Sequence, residues 1–283
     1  MTAQLRDQLG RFGIWRGGYQ VTAELAAGLQ QCGYGTLWLG GSPDGDLAQA
    51  GELLRATSSL TVGTSIVNMW KDSADEVARS FARVQDRYPG RFVLGVGAGH
   101  REATRQYERP YDTLARYVEA LLDGGVPREA LVLAALGPRV LRLARDTTAG
   151  AIPYLVPPGH TRLAREILGP GPLLAPEHKA VLDADPARAR TRGRARIKTP
   201  YLGLINYTSN LRRLGWTDAD LSGGGSDALV DALVAHGTAD QVAAQLSQHL
   251  AAGADHVAIQ LLTEPDADPM PGYRELAGAL KLS

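Results

Sequence analysis

Short apolar runs alternate with amphipathic helical stretches along the whole chain, and the pairs are punctuated by glycine or proline. The runs are Phe12–Trp15, Thr36–Leu39, Leu60–Val67, Phe92–Val96, Ala130–Leu136, Ala151–Val156, Lys179–Leu182 and His256–Leu262. Strands that alternate with helices build βαβ units, and such units require a parallel sheet. Eight of them in 283 residues suit a (β/α)8 TIM barrel, typically about 250 residues long. A doubly wound open sheet is the competing architecture. No linker-like stretch divides the chain, which favours the barrel, as a single domain over 1–283.

Helix-start signals support this register. Ser73 and Glu76 have capping-box spacing ahead of the stripe Val77, Phe81 and Val84, which ends at Pro89-Gly90. Thr238 and Gln241 repeat the device before Val242, Leu246 and Leu250, with Gly253 as the stop. Asp185-Pro186 reads as an N-cap followed by proline at the first helical position. One region breaks the rhythm. About 187–237 reads as a helical insertion between the seventh and eighth strands, and it contains Gly223-Gly224-Gly225. Loops at the carboxyl ends of barrel strands carry function, so an insertion on that face would be a lid or a substrate wall.

Composition excludes several classes. Thirty basic and thirty acidic side chains cancel, which removes any general pull toward nucleic acid or an anionic membrane. No run approaches the roughly 18 apolar residues of a membrane span, and the opening MTAQLRDQLGRFG lacks a signal core. The expected setting is therefore cytoplasmic. Cys32 is the single cysteine, so neither an internal disulfide nor a thiolate metal site is available.

Gly95-Val96-Gly97-Ala98-Gly99-His100 follows a strand, but His100 stands where a dinucleotide-binding fingerprint needs glycine. It reads equally as a plain glycine-rich turn or as a place where a flat ligand approaches the backbone. Gly63-Thr64-Ser65-Ile66-Val67 lacks the final glycine of a nucleophile elbow, and its apolar character continues, so it reads as strand. Leu136-Gly137-Pro138-Arg139 opens a helix, whose free N–H groups can hold an anion, although an ordinary junction explains it as well. Arg188, Arg190, Arg192, Arg194, Arg196 and Lys198 spread charge around most of a helix; this reads as a solvated helix, with a grip on an anionic ligand tail as the alternative. The six histidines show no metal-ligand spacing. His236 and His249 fall near helix ends, where a role opposite the dipole suffices. Trp15, Trp70, Tyr154 and Asn206 are expected to line a substrate pocket, although aromatics at strand ends serve packing equally often.

Several stretches together resemble the luciferase-like family of flavin and deazaflavin oxidoreductases, on its branch using coenzyme F420. They are Gly33–Trp38, Leu60–Ile66, Ala78–Ala82, Gly90–Gly97, Leu136–Pro138, Leu173–Pro176, Tyr201–Leu204 and Asn210–Gly215. The resemblance implies a TIM barrel with the tricyclic ring of F420, or alternatively FMN, at the carboxyl ends of the strands, and a possible homodimer. It implies a non-prolyl cis peptide at Ser65-Ile66 and places Asn68 toward the ring. Ala98, Gly99 and His100 match the turn beneath the cofactor, and Leu136, Gly137, Pro138 and Arg139 match its phosphate-binding turn. The chain also departs from the family's sugar-phosphate dehydrogenases. Gly40-Gly41 replaces an acidic residue and a histidine after strand two, and His100 replaces a glutamate after strand four. His100 titrates near neutral pH and is the candidate for proton transfer, with ring contact or helix capping as its alternative. The implied function is hydride transfer between F420 and a small organic substrate; an FMN-dependent monooxygenase and a non-catalytic cofactor-binding protein are the alternatives.

Overall fold

The computed structural model of the chain describes residues 2–99, 109–264 and 266–282. The strands are β1 (Phe12–Gly17), β2 (Thr36–Gly40), β3 (Thr61–Ser65), β4 (Val67–Asn68), β5 (Phe92–Gly97), β6 (Leu131–Leu133), β7 (Gly150–Ala151), β8 (Leu173–Leu174), β9 (Glu177–Leu182), β10 (Val234–Gly237) and β11 (Val257–Leu261). They form a curled sheet of parallel pairs in the order β10-β9-β11-β1-β2-β3-β5-β6-β7-β8, with β4 against β5. This is the α/β arrangement that the alternation of strand and helix predicts.

The ends of that order meet in one stretch of chain. Ala175 N donates to Ala151 O and Glu177 N to Pro153 O, while Ala258 N donates to Pro176 O. Leu173–Leu182 therefore hydrogen-bonds toward β7 on one side and toward β11 on the other. The short strands β8 and β10 are absent from the eight runs read from the sequence. Between β9 and β10 the chain passes through α8 (Pro186–Lys198), α9 (Ile205–Arg213), α10 (Asp218–Leu221) and α11 (Asp227–Leu233). The region expected to be helical thus includes β10 at its end.

Alternation along each strand divides the core in two. Phe12, Ile14, Leu37, Leu39, Phe92 and Leu94 face the outer helices. Trp15, Trp38, Val93 and Val132 face the enclosed side, where Leu5 and Leu9 of α1 (Thr2–Leu9) join them. The indole of Trp38 fills the space over Gly63, where a Cβ would come within 2.4 Å of the ring. Its Nε1 donates to His256 Nε2 at 3.0 Å, and His256 Nδ1 bonds to Gly10 O at 2.7 Å. The expected caps form. Ser73 accepts from Glu76 N, Asp185 accepts from Ala187 N and Arg188 N, and Thr238 and Gln241 make a reciprocal capping box.

His249 lies in the last turn of its helix, Ala239–Ala251, as expected, but it is fully buried there, bonded to Thr161 Oγ1 at 2.7 Å and to His178 Nδ1 at 2.9 Å. His236 lies in β10 and bonds to Asp231. Among the described residues no helix is long and apolar enough to cross a membrane.

Burial pushes His178 and His256 down to about 4 from the usual 6.5. An unfolded histidine takes its proton near 6.5, so the unfolded chain binds more protons between those values, and stability is lost as pH falls through that window. Thermal unfolding followed from neutral pH to about pH 4 is expected to lose on the order of 3 kcal/mol per buried histidine. A midpoint that stays flat across the window would show that these rings already carry protons in the native state.

Candidate active site

The carboxyl ends of the strands converge on a cavity of about 460 Å³. Gly17 ends β1, Gly41 and Ser42 follow β2, and Ser65 and Ile66 stand at the junction of β3 and β4. Ala98 and Gly99 follow β5, Ala134–Gly137 follow β6, Ile152 and Tyr154 follow β7, and Gln260 lies in β11. This is the face on which barrels of parallel strands carry their chemistry.

One wall is made of small or flat groups. The Ser65-Ile66 peptide is cis, as the resemblance implies, and Trp15 Nε1 donates to Ser65 Oγ at 3.0 Å. Trp15 also accounts for a departure noted in the sequence. A Cβ on Gly40 would lie 1.9 Å from its indole, so the ring occupies the space that a side chain at the end of β2 would need.

A second part of the lining comes from the helical stretch after β9. Its α8 contributes Arg196, the following turn contributes Tyr201, and α9 contributes Asn206, Tyr207, Ser209 and Arg213. Aromatic rings run continuously across this side. Trp15 and Tyr154 have centroids 5.1 Å apart, Tyr154 and Tyr201 5.3 Å, and Tyr201 and Tyr207 5.2 Å. The hydroxyls of Tyr154 and Tyr201 are 2.7 Å apart, and Tyr154 donates to Gln260 Oε1 at 2.9 Å.

A buried ion pair supports these rings. Alternation along β9 turns Glu177 and Lys179 to the same face and His178 to the other. Lys179 Nζ donates to Glu177 Oε1 at 3.0 Å and sits 4.1 Å from the Tyr154 centroid and 5.1 Å from that of Tyr201. Glu177 Oε2 accepts from Leu155 N at 2.9 Å. Burial is the largest influence on Lys179 and lowers it to about 8, despite the opposing charge of Glu177. Burial likewise drives the Tyr154 hydroxyl well above its usual value.

Of the residues expected from the sequence, Ser65, Ile66, Ala98, Gly99, Leu136, Gly137, Trp15, Tyr154 and Asn206 line the cavity. Asn68 and Trp70 stand behind its wall. Asn68 Oδ1 accepts from Trp70 N at 3.0 Å, and Trp70 Nε1 donates to Ala98 O at 2.7 Å. Pro138 and Arg139 begin α6 (Pro138–Thr147), and the Arg139 guanidinium lies 4.1 Å from the ring centroid of Tyr111, a wall residue. His100 lies outside the described residues. No group of three or more potential metal ligands occurs among those described.

Sequence reasoning missed Glu177, Lys179, Tyr201, Tyr207 and Gln260. For the first two a signal existed: charges two apart in an otherwise apolar strand must share a face. The tyrosines carried none, because a turn and a helix distant in sequence bring them together.

The luciferase-like monooxygenase family model matches residues 9–256, and the chain belongs to that family. Among solved structures it is similar to an F420-dependent secondary alcohol dehydrogenase in complex with an F420-acetone adduct, at 15% identity over 95% of this chain and 98% of that one, TM-score 0.74. It is also similar to the coenzyme F420 dependent tetrahydromethanopterin reductase from Methanopyrus kandleri, at 15% identity over 95% and 97%, TM-score 0.67. A third is the oxygenating constituent of 3,6-diketocamphane monooxygenase from Pseudomonas putida in complex with FMN, at 14% identity over 94% and 96%, TM-score 0.65. At these identities the likeness is one of fold. No curated protein matches the chain in sequence.

Removing one member of a buried ion pair strands the other charge. Lys179→Met is expected to cost about 3–5 kcal/mol in urea unfolding, and adding Glu177→Gln should recover most of it. A double variant no more stable than Lys179→Met would show that the lysine acts through packing under Tyr154 instead.

Proposed function

We propose that this protein is an oxidoreductase that transfers hydride between coenzyme F420 and a small organic substrate. The observation that carries the reading is the asymmetry of the cavity. Its lining combines small or flat groups at strand ends, Ser65, Ile66, Ala98, Gly99, Ala134 and Ala135, with aromatic and cationic side chains, Trp15, Tyr154, Tyr201 and Arg196. A planar tricyclic group fits against the first and leaves the second to a substrate. Space also favours the fit, because Cβ atoms added to Gly41 or Gly137 would meet nothing within 4 Å.

When bound, the deazaflavin would supply or accept the hydride. The chain's own residues supply the rest. Ile66, Ala98 and Gly99 give the ring a flat support, with Asn68 and Trp70 bracing the turn from behind. Gly137, Pro138 and Arg139 open α6, whose first backbone N–H groups favour an anion, and this is the place for the cofactor phosphate. Trp15, Tyr154 and Asn206 enclose the substrate and exclude water. Reduction of an activated double bond or imine needs one proton beside the hydride, and His100, next in the chain after Gly99, is the residue proposed to deliver it.

The test is to titrate the purified protein separately with F420 and with FMN and follow fluorescence. F420 is expected to bind and FMN to bind far more weakly. Tight binding of FMN with none of F420 would instead support a monooxygenase, and binding of neither would remove the cofactor reading. Gly137→Val offers a sharper probe. Its backbone, at φ −89 and ψ 158, accepts a β-branched residue, so stability should stay within about 0.5 kcal/mol. Affinity for F420 should fall at least about tenfold, because the isopropyl group would fill space meant for the phosphate. Unchanged affinity would move the phosphate elsewhere.

A further inference from the structure

Of the six basic residues of α8, four are ion-paired and Lys198 is exposed. Arg188 pairs with Asp183 at 2.8 Å and with Asp185 at 2.9 Å, and Arg190 pairs with Asp231 at 2.6 Å. Arg192 pairs with Glu264, and Arg194 with Asp227. Arg196 differs from all of these. It is half-buried, it lines the cavity, and no carboxylate among the described residues lies within ion-pair distance of it. Its guanidinium lies 5.6 Å from the ring centroid of Tyr201, whose hydroxyl meets that of Tyr154.

The surroundings sharpen the contrast. No acidic side chain is among the described residues lining the cavity. Lys179 is already committed to Glu177 and fully buried. The other cation among the described lining residues, Arg213, ends α9. Its guanidinium donates to Asn210 Oδ1 at 2.9 Å. The anionic tail of a cofactor held at Gly137 has a cation of its own in Arg139, in the first turn of α6.

We propose that Arg196 recognises a carboxylate on the substrate, and that the substrate is an apolar, flat-bodied organic acid. A partly buried guanidinium that makes no ion pair among the described residues, and feels Glu177 only at a distance, is poised for a ligand that brings a carboxylate, and its planar fork matches one in two parallel hydrogen bonds. The rings of Trp15, Tyr154 and Tyr201 suit the apolar body. As the substrate of a hydride transfer, this acid rests on the F420 reading above; as a ligand it can be tested without the cofactor.

Cofactor-free protein is titrated calorimetrically with trans-cinnamate, indole-3-acetate and benzoylformate, each beside its methyl ester. At least one acid is expected to bind about tenfold or more tightly than its ester. In Arg196→Gln, of unchanged thermal midpoint, that preference should fall below about twofold, and Arg196→Lys should keep part of it. No acid outbinding its ester, or a preference that survives in Arg196→Gln, overturns the proposal. A separate titration uses F420 and its tail-less deazaflavin riboside. If Arg196→Gln weakens F420 about tenfold and leaves the riboside unchanged, the guanidinium holds the cofactor tail, and the proposal falls. If wild type binds no F420, the oxidoreductase reading fails, while the acid-over-ester comparison still decides the role of Arg196.

Discussion

Both ends of the curled sheet hang on one stretch of backbone, Leu173–Leu182. A parallel strand carries donors and acceptors on both edges, and in a buried sheet every one of them needs a partner. The stretch meets this demand by changing partners along its length. Leu173 and Leu174 pair with β7, and Glu177–Leu182 lies between β10 and β11. Pro176 stands at the change, where its ring takes the place of an N–H and its carbonyl accepts from Ala258. The curl fixes where strand ends meet, and the cavity exists because they meet.

The same stretch sets the chemistry beneath the cavity. Its inward residues place a charged pair below two tyrosines, and its outward residue His178 joins a neutral chain with His249 and Thr161. One strand thus separates a charged pair on its inner face from a buried histidine pair on its outer face. The polar groups are satisfied by close partners, which holds Tyr154 in place against Trp15. Trp15 in turn closes the room at Gly40. The wall under the proposed ring site is therefore settled by packing several residues away from it.

Much of this was legible in the sequence because period-two alternation and capping residues are local. The strand positions and the caps at Ser73, Asp185 and Thr238 depend on neighbours within a few residues, whereas the cis peptide at Ser65-Ile66 and the turn at Gly137 were implied by the family resemblance and not by local spacing. The burial of His249 was not legible, because its position on α12 (Ala239–Ala251) says nothing about the strand it meets. The strand β10 is only four residues long, too short to show a period. Tyr201 and Gln260 belong to the site only through contacts 47 and 106 residues away from them, a distance at which spacing carries no signal.

The segment from α8 to α11 holds much of itself together. Arg190 reaches Asp231 and Asp227, and Arg194 reaches Asp227, all within the same segment. Its buried residues, among them Ile197, Leu211, Leu229 and Leu233, form a cluster largely separate from the main core. Its inner side supplies Arg196, Asn206, Tyr207 and Arg213 to the cavity. A part that is braced from within and recognises on one side behaves as a cassette. Exchanging it between relatives would carry selectivity from one barrel to another, while the strand ends kept their own geometry.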